Sequence, residues 1–461
     1  MNIGILALAR PTFDIPFAQQ KLKECLKVFS QTNYSVYGQC ELLLDSDQTL
    51  KEIDILKSKN LDAILILQVT FTDAAMSVII AKNFDLPLSI WAIPEPRLGG
   101  RLRLNAFCGL NLASHALGLN EKQFLWLYQD PNELNKKILD DLFHQKKFSP
   151  RSNPRLDNSK TLPKAEEIVK KVSNFKIARI GEHPEGFDTC RYDDRELEDL
   201  SGVRVDTLTL HDLFDEAKNI SDEVVNDSLL LIDTQLAGLD KVNPKELRNS
   251  VRLKSALENI KNNGSYNAFA LRCWPEMFTE YGGAICGPAS ILGEKKIPCA
   301  CEADVYGSLT QLILQEVSQS QVFLTDIVDI STKDDTGVLW HCGQAPISMC
   351  DENYKATATI HTNRRMPLLF EFPLKSGSVT LMRISKSFGE NKMIISNGQM
   401  LKRDMAFTGT SGVIKFENTS SEVLNNIISS GMEHHMALAY GDHREILKEV
   451  AKCMQIPVLE I

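Results

Sequence analysis

Short, unbroken apolar runs alternate with stretches of helical spacing through the first part of the chain. The run NIGILAL at 2–8 opens it, and after a polar loop the residues 17–29 carry the apolar spacing of a helix. LDAILILQV at 61–69 ends in Thr70, Thr72 and Asp73 and is followed by a helical pattern at 74–83. PLSIWAI at 87–93 precedes another at 104–117. Strands that are apolar throughout, separated by helices, predict a parallel sheet covered on both faces. Ligands gather at the carboxyl ends of such strands, which singles out Arg10, Gln68, Thr72, Asp73 and Arg97.

A polar stretch rich in Pro, Ser and Asn at 146–164 reads as a linker. A second α/β unit follows, with strands expected at 175–180, 203–208, 229–232, 267–274 and 297–301 and helices at 193–200 and 307–316. From about 334 the pattern changes to alternation, with strands expected at 356–361, 368–373, 378–384 and 392–396. That period predicts an antiparallel, barrel-like region, closed by a helix at 444–454 and a strand at 457–461.

Length and composition narrow the class. A chain of 461 residues exceeds one ordinary core, and 43% hydrophobic with 24% charged residues is normal globular usage. A net charge of −9 argues against a nucleic-acid partner, which calls for a basic face. The start of the chain lacks the features of a signal peptide, and no window suits a membrane span. Eleven cysteines, several in apolar runs, fit reduced thiols in the cytoplasm. No glycine-rich turn follows the first strand, which argues against a nucleotide cofactor.

Reactive residue types concentrate in three places. LRCWPEMFTE at 271–280 leads a strand into a loop with Glu276 and Glu280. CACEADVYGSLT at 299–310 carries Glu302 and Asp304 between a strand and a helix. Imidazoles come from WHCG at 340–343 and EHHMALAYGDH at 433–443. Carboxylates with one or two imidazoles suit Mn²⁺, Mg²⁺ or Co²⁺ better than a thiolate zinc site. Each feature also has a plain structural reading. Glu302 or Asp304 can cap the following helix, His434 and His435 can be structural, and the cysteines read as core residues in the absence of CxxC pairs.

Taken in order, these segments resemble the L-fucose isomerase and L-arabinose isomerase family over most of the chain. The carriers are Arg10-Pro11-Thr12, GEHPEGFDTCRYDD at 181–194, CEADVYGSLT, WHCG and the EHH segment. The resemblance implies two Rossmann-like domains, 1–165 and 166–333, and a C-terminal antiparallel barrel domain, 334–461. It implies a homo-oligomer, a trimer or hexamer with sites near subunit interfaces, and a divalent cation, usually Mn²⁺. Carried over by position, Asp304 matches a metal carboxylate, His435 the C-terminal ligand with His434 its rival, and His341 an additional histidine. The first carboxylate falls to Glu276 or Glu280, since a match without gaps lands near Ala284.

On that resemblance the expected reaction is aldose–ketose interconversion through an enediolate, with Glu276 and Asp304 flanking the metal as proton shuttles. His435 and His341 complete the metal set. Arg10, Asp73, Trp274, Glu302 and His434 are expected to contact the sugar. The alternatives are other metal-assisted chemistry on sugars or sugar acids, of epimerase or aldolase type, and sugar binding without catalysis.

Overall fold

The computed structural model describes residues 1–144, 156 and 159–461; most of the expected linker lies outside them. The opening sheet runs Ser35–Tyr37, Asn2–Leu8, Ala63–Gln68, Leu88–Ala92 and Leu125–Tyr128, with Leu42–Leu43 also paired to the first strand. Every pairing in it is parallel. All six residues of Ala63–Gln68 are buried, as expected for a strand covered on both faces. One of the covering helices, Ala106–Leu119, is buried on nearly all sides because its outer face packs on the C-terminal part. There, Asn111 Nδ2 donates to the Met432 carbonyl at 2.7 Å.

A second parallel sheet, ordered Cys299–Ala300, Ala268–Leu271, Lys176–Ile180 and Arg204–Leu208, follows helix Pro163–Val172. The expected strand at 229–232 is instead part of helix Asp222–Gln235. Only part of its LLLI run faces the core: Leu230 and Leu231 are exposed, while Val225, Ser228 and Ile232 form the buried stripe at helical spacing.

The C-terminal part is a closed antiparallel barrel. Strands Thr410–Phe416, Thr336–His341, Phe323–Ser331, His435–Tyr440, Gly377–Ser385 and Lys392–Met400 pair in that order, and the last pairs back onto the first. Closure removes the sheet edges that would otherwise be left unpaired. The barrel begins at Phe323, so its first strand lies in the stretch assigned from sequence to the second domain.

Helix Val305–Ser318 joins the parts. Leu309, Leu312 and Ile313 pack in one core with Ala268 and Ala270 of the second sheet and with Met382, Ile384, Ala437 and Ala439 of the barrel. The start of this helix, the end of the second sheet and two barrel strands therefore meet at one place. No helix among the described residues is long and apolar enough to cross a membrane.

Candidate active site

A cavity of about 750 Å³ opens at that meeting point. The opening sheet contributes Arg10 and Asp73, the second unit Trp274 and Glu302, and the barrel Asp326, His341 and His434.

Glu302 reaches the cavity through an unusual turn. Between the strand Cys299–Ala300 and the helix, Glu302 and Ala303 have φ of 53° and 55°, the left-handed region that non-glycine residues seldom adopt. The turn directs Glu302 and Asp304 to different neighbours. Glu302 Oε1 accepts from the Trp274 indole at 3.2 Å, while its Oε2 lies 3.0 Å from His435 Nε2 and 3.7 Å from His434 Nε2.

Asp326 and His435 are cross-strand partners in the barrel, which places their side chains on one face. Asp326 Oδ1 lies 3.7 Å from His435 Nε2. Glu302 Oε2, Asp326 Oδ1 and His435 Nε2 are all buried, and none has a well-aligned hydrogen-bond partner among the described residues. The 3.0 Å approach of Glu302 to His435 thus lacks hydrogen-bond alignment. Glu302 Oε2 and Asp326 Oδ1 each approach the same imidazole nitrogen, oxygen and nitrogen donors of the kind a hard divalent cation takes.

His435 is held from behind. Its Nδ1 lies 2.9 Å from Asp304 Oδ2, and Arg383 grips the same carboxylate with Nη1 at 2.5 Å and Nη2 at 3.1 Å. Asp304 Oδ1 also caps the helix by accepting from Gly307 N at 2.8 Å. Burial opposes charge on Asp304, but Arg383 and His435 outweigh it and hold the carboxyl well below the usual range. Burial likewise disfavours a charged His435, yet Asp304 and Glu302 push its pKa up to about 10.

The residues singled out from sequence thus separate. Glu302, His341, His434, Arg10, Asp73 and Trp274 line the cavity, and His435 stands behind Glu302. Arg10 and Asp73 form an ion pair with each other. Asp304, though beside His435, has both oxygens engaged and does not line the cavity. Glu276 is paired with Arg272 Nε at 2.7 Å and also lies off the cavity wall. His341 has a ring nitrogen within 4.8 Å of donor atoms of Glu302 and His435. Its Nδ1 accepts from the Cys342 backbone N–H at 2.9 Å, so the neutral ring carries its proton on Nε2 and acts there as a donor.

Two central residues escaped sequence reasoning. Asp326 lies inside the apolar run FLTDIVDIS and Arg383 inside VTLMRIS, and a charge interrupting a buried strand was the available signal. The cysteines expected in the core partly gather at the cavity wall, where Cys286 Sγ and Cys342 Sγ are 3.2 Å apart.

Residues 4–149 match the family model described as fucose/sulfoquinovose isomerase, N-terminal domain, and residues 339–461 match L-fucose isomerase, C-terminal domain. Between them the two models cover more than half of the chain. A sulfoquinovose isomerase of Alkalicoccus urumqiensis is 29% identical over 100% of this chain and 99% of its own length. One from Priestia aryabhattai is 28% identical over 97% of this chain and 96% of its own. Fold and matches together define an aldose–ketose isomerase. The chain belongs to the fucose isomerase-like family.

Proposed function

We propose that this protein interconverts an aldose and a ketose with a divalent cation, Mn²⁺ by preference over Mg²⁺ or Co²⁺, and that its substrate is a sulfonated hexose of the kind its relatives are named for. The observation that supports the metal is the approach of two buried carboxylate oxygens, Glu302 Oε2 at 3.0 Å and Asp326 Oδ1 at 3.7 Å, to the same nitrogen, His435 Nε2. When bound there, the cation would supply Lewis-acid stabilisation of oxyanion charge developing on the sugar.

The chain's own residues account for the rest. Isomerisation removes the C2 proton of the open-chain aldose, leaves an enediolate, and returns a proton to C1 as the carbonyl moves to C2. A carboxylate beside both carbons can serve as base and then acid. Glu302 and Asp326 take this role in place of Glu276 and Asp304, because they face the cavity. His341 Nε2–H and His434 are positioned to hold sugar oxygens, while Asp304 and Arg383 orient His435.

Three further expectations belong with this reading. We divide the chain at about 165 and, because the first barrel strand begins at Phe323, just before that residue rather than at 333. Val224, Leu230 and Leu231, exposed on one helix, support a homo-oligomeric trimer or hexamer. Eleven free cysteines support a reducing, cytoplasmic setting.

The test is proton exchange. Chelator-treated protein given Mn²⁺ is expected to incorporate solvent deuterium at C2 of sulfoquinovose and to form the ketose. Absence of exchange with every aldose and every divalent ion offered would sink the proposal.

A further inference from the structure

Three arginines line the cavity, and their surroundings differ. Arg10 is paired with Asp73 and Arg272 with Glu276. Arg364 has no carboxylate partner and no side-chain hydrogen bond among the described residues. Its guanidinium carbon instead lies over the Trp274 ring, 4.9 Å from the centroid, and 5.5 Å from that of Phe278. The backbone that presents it is fixed: His361 Nδ1 accepts from Asn363 N at 3.2 Å and Arg364 N at 3.3 Å.

A half-buried guanidinium stacked on aromatic rings, with no carboxylate at ion-pair distance among the described residues, is poised for an anion. Its planar fork matches the oxygens of a sulfonate or phosphate and keeps its charge at any working pH. The placement sets the distance from the reacting end. Trp274 donates to Glu302 from one edge of its indole and carries Arg364 on its face, so the cation stands one indole away from the carboxylate. Five carbon–carbon bonds of an open-chain hexose span about 6 Å. A sugar with C1 and C2 beside Glu302 can thus bring a charged group on C6 to Arg364.

We propose that Arg364, stacked on Trp274, recognises the anionic C6 group of the substrate and selects a sulfonated aldose over a neutral one. This rests on the isomerase reading for the position of C1 and C2. With Arg10 and Arg272 each already paired to a carboxylate, one cavity guanidinium is left for the anion, which suits a singly charged sulfonate better than a phosphate dianion.

The experiment measures binding as well as turnover. Sulfoquinovose, glucose 6-phosphate and 6-deoxyglucose are titrated calorimetrically into the wild-type protein and into Arg364→Gln and Arg364→Lys, with thermal unfolding as a folding control. The wild-type protein is expected to prefer sulfoquinovose to both others. The preference over 6-deoxyglucose is expected to fall about 30-fold in Arg364→Gln, the scale of a charge-assisted pair, and by less in Arg364→Lys. Equal loss of affinity for the sulfonated and neutral sugars in folded Arg364→Gln overturns the inference, as does tighter wild-type binding of the phosphate ester. Turnover separates the two readings. Selective binding without deuterium exchange leaves Arg364 in its role and removes the isomerase, whereas exchange with an unchanged preference does the reverse.

Discussion

Asp304 Oδ2 lies 2.9 Å from His435 Nδ1, on the far side of the ring from the nitrogen that faces Glu302. The carboxylate orients the ring and keeps a proton on Nδ1, so that a cation displacing the proton on Nε2 would meet a lone pair aimed toward Glu302 and Asp326. Arg383, fully buried, neutralises the arrangement from behind.

Removing the charge of Asp304 should act on both ends of this relay. Asp304→Asn removes the carboxylate that grips buried Arg383 with both oxygens and leaves it only Glu433 at 3.8 Å, a loss of about 3 kcal/mol, the lower end for breaking a buried pair. It also frees the His435 ring, and orienting partners of this kind are worth about 10–100-fold in metal affinity. Urea unfolding and Mn²⁺ titration of the same variant measure the two effects. Weakened Mn²⁺ binding with unaltered stability would contradict the burial argument, and the reverse would contradict the orienting role.

Glu302 and Glu276 give opposite expectations. Glu302→Gln removes the carboxylate that faces the cavity and should lower kcat by at least about 10²-fold, the lower end of what general acid–base catalysis contributes. Glu276→Gln disturbs an ion pair with Arg272 that is partly open to solvent, and kcat should stay within about threefold, since such pairs contribute little. Steady-state kinetics on both variants settles the order; a larger loss in Glu276→Gln would return the shuttle to that loop.

This contrast also marks how far the sequence could be read. The parallel sheets were legible because runs such as 63–68 are apolar without interruption, and the barrel because alternation sets in late in the chain. The run at 229–232 misled because four consecutive apolar residues fit a strand and a helix equally, and only exposure of Leu230 and Leu231 decides between them. In the site, the segments bearing Glu302, His341, His434 and His435 were visible. The roles within CEAD were not, because the left-handed turn at Glu302 and Ala303 exchanges which carboxylate faces the cavity. Asp326 becomes visible only through its register with His435, a long-range pairing that local pattern does not encode.

Metal binding should depend steeply on pH. Burial opposes the charge of His435, but Asp304 and Glu302 raise its pKa to about 10, from an ordinary value near 6.5. The sign follows from linkage. In metal-free protein, the pairing of charged His435 contributes stability that is complete below about 6.5 and is lost as pH rises through about 10. A cation on Nε2 must displace that proton, so affinity should rise by up to about tenfold per pH unit between 7 and 9, with release of one proton. Calorimetry in buffers of different ionisation enthalpy reads both quantities. A flat profile with no proton release would exclude His435 as a ligand.

The junction between the opening sheet and the barrel rests on a second buried charge. Asp329 accepts from Arg97 Nε at 2.6 Å and from Tyr128 Oη at 2.5 Å, and Arg97 also donates to the Thr336 hydroxyl at 2.7 Å. Burial raises the pKa of Asp329, and Arg97 only partly offsets the cost of keeping it ionised. Arg97→Met should therefore destabilise the protein by about 3 kcal/mol, because the carboxylate stays buried with one neutral donor. Adding Asp329→Leu should recover most of that loss, since an apolar pair of similar volume no longer carries an uncompensated charge. Urea midpoints of the single and double variants test this, and a double variant as unstable as Arg97→Met would point to lost packing between sheet and barrel as the cause.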